Sequence, residues 1–172
     1  MSTRLLVALT VVLWGSSLLA AASREDEAKK YAADLKSKDA KVRLTAVTEL
    51  GKLGSLQKKF TVPYIAEITK VLTDEDPKVR GEAARVIGLI DVDDKKASVT
   101  QIAELLKNEK SEIARAGQET GLGALGATTE DDRVKRMARE ALLVARKKHM
   151  DSKREQKVIQ AALQLITGKK KN

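Results

Sequence analysis

The stretch LTDEDPKVRGEAARVIGLI, residues 72–90, reads as the end of one helix, a tight turn and a second helix. Asp76 is a good N-cap, because its carboxylate can accept from the free N–H groups of a first helical turn. Pro77 follows at the first helical position, where its missing N–H costs nothing. Val79, Ala83, Ile87 and Ile90 then fall at steps of four, four and three, one apolar stripe on a 3.6-residue helix. The pattern is written twice more. Asp39, Val42, Arg43, Ala46, Leu50, Gly51 and Leu53 precede Asp76, Val79, Arg80, Ala83, Ile87, Gly88 and Ile90 by 37 residues. Ser111, Ala114, Arg115, Gln118, Leu122, Gly123 and Leu125 follow them by 35. An internal repeat of this length decides the architecture before composition does.

Each repeat also has a preceding helix. Ala28, Tyr31 and Leu35, then Ile65, Ile68 and Leu72, then Val99, Ile102 and Leu106 keep a three-and-four spacing. Neither helix of a pair can bury its stripe alone, whereas stacked pairs can, which is the physical logic of a solenoid. Gly51, Gly88 and Gly123 recur near the end of each second helix, where glycine costs about 1 kcal/mol against alanine. That recurring cost predicts close approach of a neighbouring helix. Arg43, Arg80 and Arg115 recur four residues after each cap and predict a line of exposed Asp–Arg contacts between successive turns, each worth about 0–1 kcal/mol. The third unit has one extra residue before Ser111, and Gln118 where the others have alanine, so a bulge or looser packing is expected there.

The units LKSKDAKVRLTAVTELGKLG and LTDEDPKVRGEAARVIGLI resemble HEAT repeats, in the short form also called PBS-lyase HEAT-like. The Asp-Pro turn before Val-Arg, the small residue four positions after the Val, and the Leu-Gly pair carry the likeness, which covers about residues 35–126. The resemblance implies a right-handed all-α solenoid of about four helix pairs with a concave surface. It implies no reaction, since such repeats are binding platforms in unrelated settings.

Around the repeats, three segments stand apart. Residues 1–22 carry Arg4, an apolar run and then Ala20-Ala21-Ala22, the form of a signal peptide cleaved after Ala22, with an uncleaved membrane anchor as the alternative. The chain is therefore expected to be exported: periplasmic, envelope-associated or secreted. Residues 23–126 hold the three repeats. Residues 127–168 form a divergent helix pair, expected to open with a capping box of Thr129 and Asp132 and to cap the solenoid, and 169–172 are a basic tail. The net charge is +9, and residues 133–172 hold thirteen Lys and Arg against three acidic residues, so all of the excess lies in this last part. There is no cysteine, which excludes disulfides and thiolate metal sites.

Few residues point to chemistry. Gly121, Gly123 and Gly126 spell G-x-G-x-x-G, but at the end of a helix and in register with Gly51 and Gly54, so the motif reads as packing. Acidic runs at 74–76, 91–94 and 130–132 lack the spacing of a calcium loop and read as caps and turns. The single histidine, His149, has no nucleophile motif to serve. Catalytic residues, cofactor and metal are accordingly not expected. The first functional reading is a non-catalytic scaffold that holds another protein on the second helices, through Arg43, Glu49, Arg80, Glu82, Arg85, Arg115 and Glu119. The alternative is attachment to an anionic envelope surface or polymer through Arg133, Lys135, Arg136, Arg139, Arg146, Lys147 and Lys148. Nucleic acid is disfavoured, because the aromatics that stack on bases are sparse, and membrane contact requires an uncleaved leader. A phycobilin-lyase-like activity is a minor alternative that rests on the resemblance alone.

Overall fold

A computed structural model describes residues 23–90 and 92–168; the expected leader, residues 1–22, and the tail, 169–172, lie outside the described residues. The described residues form α1 (23–34), α2 (Ala40–Leu56), α3 (Ile65–Lys70), α4 (Pro77–Leu89), α5 (Lys95–Asn108), α6 (Glu112–Thr128), α7 (Asp132–Lys148) and α8 (Lys153–Thr167), with no strand among them. The chain is an all-α solenoid.

The repeat's punctuation does what its chemistry dictates. Asp39 caps α2 through the Lys41 amide at 2.8 Å, and Asp76 caps α4 through the Lys78 amide at 2.7 Å. Ser152 caps α8 through the Glu155 amide at 3.2 Å. The expected capping box at Thr129 is corrected: Asp131 caps α7, accepting from Arg133 and Val134, while the Thr129 hydroxyl accepts from the Asp131 amide. In the second unit the first helix is broken into short 3₁₀ turns on either side of α3. Pro63 sits in the turn that precedes α3, where a missing donor is tolerated.

The even-numbered helices pack in sequence, α2 on α4, α4 on α6 and α6 on α8, while α7 packs on α5 in a second layer. Leu50, Ile68, Leu72, Ile87, Ile102, Leu122, Leu142 and Ile159 fill the core between the layers. The pair α7–α8, which resembles the repeat least in sequence, is thus a fourth unit. Beyond it α8 turns Lys153, Lys157 and Gln160 to solvent, a polar end as a capping unit requires.

Glycine sets the spacing within the even layer. A methyl group added at Gly88 would lie 2.7 Å from the Gly121 carbonyl oxygen, and one at Gly121 would fall on the carbonyl of Ala84. At Gly117 the obstacle is the Gly81 carbonyl, so α4 and α6 meet backbone to backbone. The third unit is therefore packed more closely, not more loosely, than expected. The same closeness continues from α6 to α8, where a methyl at Gly123 would stand 2.6 Å from the Ala162 Cβ. In the other layer α5 and α7 part to leave a groove of about 490 Å³ over Ala103, Leu106, Met137, Ala141 and Val144. Helices that touch on one side and gape on the other bend the stack. The concave side is the side of the even helices.

A Gly121→Ala substitution should therefore cost about 1–3 kcal/mol, because the obstacle is backbone that cannot turn aside. Gly51→Ala meets only the Val86 side chain and should cost less. The midpoints of urea unfolding for the two variants check the order.

Candidate functional site

Two features run the length of the stack: a ladder of ion pairs along the turns, and the stripe of side chains that faces the concavity. The ladder is built by the repeated arginine. Arg43 donates from Nε and Nη2 to both Asp74 oxygens at 2.7 Å, and from Nη1 to the carbonyls of Ser37 and Lys38 at 2.9 and 3.1 Å. Arg80 repeats this on Glu109 at 2.8 Å and on the carbonyls of Asp74 and Glu75. Arg115 repeats it on Glu155 at 2.5 and 2.9 Å and on the carbonyls of Glu109 and Lys110. Each arginine thus satisfies two carbonyls of its own turn and grips a carboxylate of the next unit in a bidentate fork.

Two of the three acceptors are in register as well. Asp74 and Glu109 stand two residues before their caps, and each accepts from the cap amide, of Asp76 and Ser111, at 2.9 Å. In the first unit Ser37 holds that place and accepts from the Asp39 amide at 3.2 Å. The place of the arginine in the fourth unit belongs to Gln156, whose Nε2 donates to the carbonyls of Arg146 and His149 at 3.0 Å. Among the described residues the first unit therefore carries no acid at the acceptor place and the fourth no cation at the arginine place.

These contacts are not the exposed pairs expected from the sequence. Arg43 and Arg115 are only 6% and 8% exposed, and the partners are not the caps but acids two residues before them or, for Glu155, three after. Their electrostatics match the geometry. The hydrogen bond to Asp74 leads in raising the Arg43 guanidinium, and those to Glu109 and Glu155 do the same for Arg80 and Arg115. Burial pushes Asp74 and Glu109 upward, but their arginines and the cap amides outweigh it and hold both carboxyls below the usual range. Glu155 is lowered chiefly by its bond from Arg115.

The concave stripe is a different set of residues. On α4 the glycines face α6, and Val79 and Val86 are buried a half-turn away toward α2, so Lys78, Glu82, Arg85 and Leu89 look into the concavity. The same register gives Lys41, Thr45, Thr48 and Lys52 on α2, and Ile113, Gly117, Thr120 and Ala124 on α6. On α8 it gives Arg154, Val158, Ala161 and Leu165. Apart from Leu89, the first two units are polar here. Glu82 is gripped by Arg85 at 2.6 and 2.8 Å, with the Thr48 hydroxyl at 3.2 Å, and these bonds, Arg85 first, keep its carboxyl low. The last two units are mainly apolar: Ile113 and Leu165, joined by Leu89 of the second unit, are exposed around the low floor of Gly117, Thr120 and Ala124.

Of the seven residues expected to meet a partner, Glu82 and Arg85 lie on this stripe. Arg43, Arg80 and Arg115 belong to the ladder, Glu49 flanks the free face of α2 beside Lys52, and Glu119 is wholly buried. The expectation of exposure is corrected for Arg43, Arg115 and Glu119: an arginine four residues after the cap reaches sideways to the next unit instead of outward. The alignment of the repeats held the missed signal, since the residue two after each cap faces the concavity.

The basic set on α7 is where the sequence put it. Arg133, Arg136, Arg139, Arg146, Lys147 and Lys148 are exposed, and Lys135 is half-buried. Arg133, Arg136, Arg139 and Lys147 make no ion pair among the described residues, whereas Lys148 donates to the Lys107 carbonyl at 2.7 Å and Lys135 lies 3.9 Å from Asp132. The G-x-G-x-x-G run packs α6 on α4, α7 and α8. Among the described residues no three His, Cys, Asp or Glu side chains gather to hold a metal ion, and no helix is long and apolar enough to cross a membrane. Set against known proteins, residues 29–123 match the family described as HEAT repeats. No curated protein matches the chain.

Removing one member of a buried pair strands the other. Arg115→Met should destabilise the chain by about 3–5 kcal/mol, because Glu155 is left charged and dry. Adding Glu155→Leu should recover most of that loss. Chemical denaturation of the single and double variants checks both statements.

Proposed function

The chain belongs to the HEAT-repeat family, and from that premise we propose that it is a non-catalytic, exported scaffold holding one partner protein on its concave side. The observation that carries this reading is the apolar half of the stripe. Leu89, Ile113 and Leu165 are exposed on a layer whose helices are locked in register by glycine contacts and by the ladder. A preformed apolar surface with small residues at its floor gives a partner's bulky side chains somewhere to go without reordering the chain. Export is supported by the pattern of residues 1–22, Arg4 followed by an apolar run and three alanines.

A second reading has its own observation. Arg133, Arg136, Arg139 and Lys147 stand on the exposed side of α7 without ion-pair partners among the described residues. Such a surface attracts an anionic envelope polymer or membrane face in a salt-dependent way.

The two readings separate in one experiment, affinity capture from envelope extract at rising salt. The scaffold reading expects a defined protein retained through high salt by the wild-type chain. Retention should fall at least tenfold with Leu89→Asp and Leu165→Asp, and stay unchanged with Arg133, Lys135, Arg136 and Arg139 replaced by Gln. Retention lost at moderate salt, and lost only in the Gln variant, would replace the scaffold by the anion reading.

A further inference from the structure

The ladder leaves one ionisable group without an assignment. Glu119 lies on α6, one turn beyond Arg115 and eight residues after its cap, the place held by Val47 in α2 and Ala84 in α4. Those residues meet the following even helix, and Glu119 accordingly faces α8. It is 0% exposed, and neither carboxylate oxygen has a hydrogen-bond partner. Its neighbour Gln118 is equally buried and equally unpartnered. A charged carboxylate without a partner is far costlier to bury than a neutral one.

The groups facing it explain why no compensation is at hand. Arg115, on its own helix, is committed to Glu155 of α8 and to the carbonyls of Glu109 and Lys110. Glu112 lies two turns back on α6, where Arg154 of α8 stands 3.9 Å away at the surface. From the end of α7, His149 acts on Glu155, not on Glu119. Glu109 in the preceding turn is held by Arg80. An ionised Glu119 would therefore put a second carboxylate into an interface whose buried guanidinium, that of Arg115, is already neutralised.

We propose that Glu119 is a proton-controlled latch for the fourth helix pair, which docks α8 on α6 while the carboxyl is neutral and releases it when the carboxyl ionises. Burial first, and the Glu155 carboxylate second, push the Glu119 carboxyl up to about 8 against the pull of Arg115. The sign follows from linkage. A carboxyl raised in the docked state favours docking fully below its ordinary value near 4.5, and that contribution is lost as pH rises to about 8. Release of α8 also removes Val158, Ala161 and Leu165 from the concave stripe. On the scaffold reading, the apolar half of the binding surface is thus present in neutral or mildly acidic surroundings and dismantled in alkaline ones; the latch itself does not depend on that reading.

The test is hydrogen exchange of the full chain from pH 6 to 9, with rates corrected for intrinsic exchange, comparing amides of α8 with those of α2. In the wild type the opening constant of α8 should rise by up to about tenfold per pH unit between 6 and 8 while that of α2 stays level. Glu119→Gln keeps the shape and removes the charge, and Glu119→Val gives α6 the residue that α2 carries at this place; both should flatten the α8 profile. Either of two results overturns the latch: a wild-type profile parallel to that of Glu119→Gln, or equal loosening of α2 and α8. No partner enters the measurement, so it stands or falls apart from the capture experiment.

Discussion

The structure depends on what one arginine can reach. Four residues beyond its helix cap, the side chain is long enough to satisfy two carbonyls of its own turn and still grip a carboxylate of the next unit. Helices packed by apolar side chains alone can slide past one another by a turn at modest cost, because Leu, Val and Ala are interchangeable partners. A slide of this stack would strand Asp74, Glu109 and Glu155 away from their forks in nearly dry surroundings. Buried pairs of this kind add little net stability compared with a well-packed apolar substitute. Their consequence is register: only one alignment of successive units leaves every charge matched. Ser37 and Gln156 hold the corresponding places in the first and fourth units and bond within their own turns.

Register fixes where the units sit along one another, and glycine fixes how near they come. Gly81, Gly88, Gly117 and Gly121 bring the backbones of α4 and α6 into contact, while α5 and α7 leave between them a groove lined by Leu106, Met137 and Val144. A wedge results, thin on the even side, and the curvature of the whole surface follows from it. The same glycines lower the floor of the concave stripe at Gly117, so that Leu89, Ile113 and Leu165 stand above it. The shape of the candidate surface and the tightness of the core are thus one feature seen from two sides.

Much of this was legible in the sequence because the repeat supplies its own alignment. The two-helix unit, the Asp39 and Asp76 caps and the close approach at Gly51, Gly88 and Gly123 could all be read from spacing. Exposure on the second helices is less legible than their spacing. Arg43 and Arg115 are buried by their own reach, and Glu119 by its phase on the helix, and neither fact is visible in residue type. Residues two, six, nine and thirteen after each cap line the outer stripe of the even helices, and their chemistry changes from unit to unit. The fourth unit was hard to see for a related reason. Its spacing from Ser111 to Ser152 is longer, it lacks the Leu-Gly pair, and at the ladder position it carries Gln156, which bonds the Arg146 and His149 carbonyls instead of a carboxylate.

The fourth unit also differs in how it is fastened. Asp74 and Glu109 offer their carboxylates from the turn before the helix, where the backbone amide of the cap helps to hold them. Glu155 offers its carboxylate from inside the first turn of α8, at the site that the earlier units fill with Val42, Val79 and Ala114. That shift carries the charge of the last rung deeper into the interface and brings it within reach of Glu119. Two carboxylates then share the field of Arg115, and only one of them can ionise without penalty. The earlier rungs fail only in acid, where Asp74 and Glu109 gain protons, because their lowered carboxyls give up stability as pH falls. The last interface is weakened from the alkaline side as well. The solenoid therefore has its stiffest register in the middle and its most conditional joint at the end that carries half of the apolar stripe, so the part of the surface best suited to a partner is also the part whose presence is set by a proton.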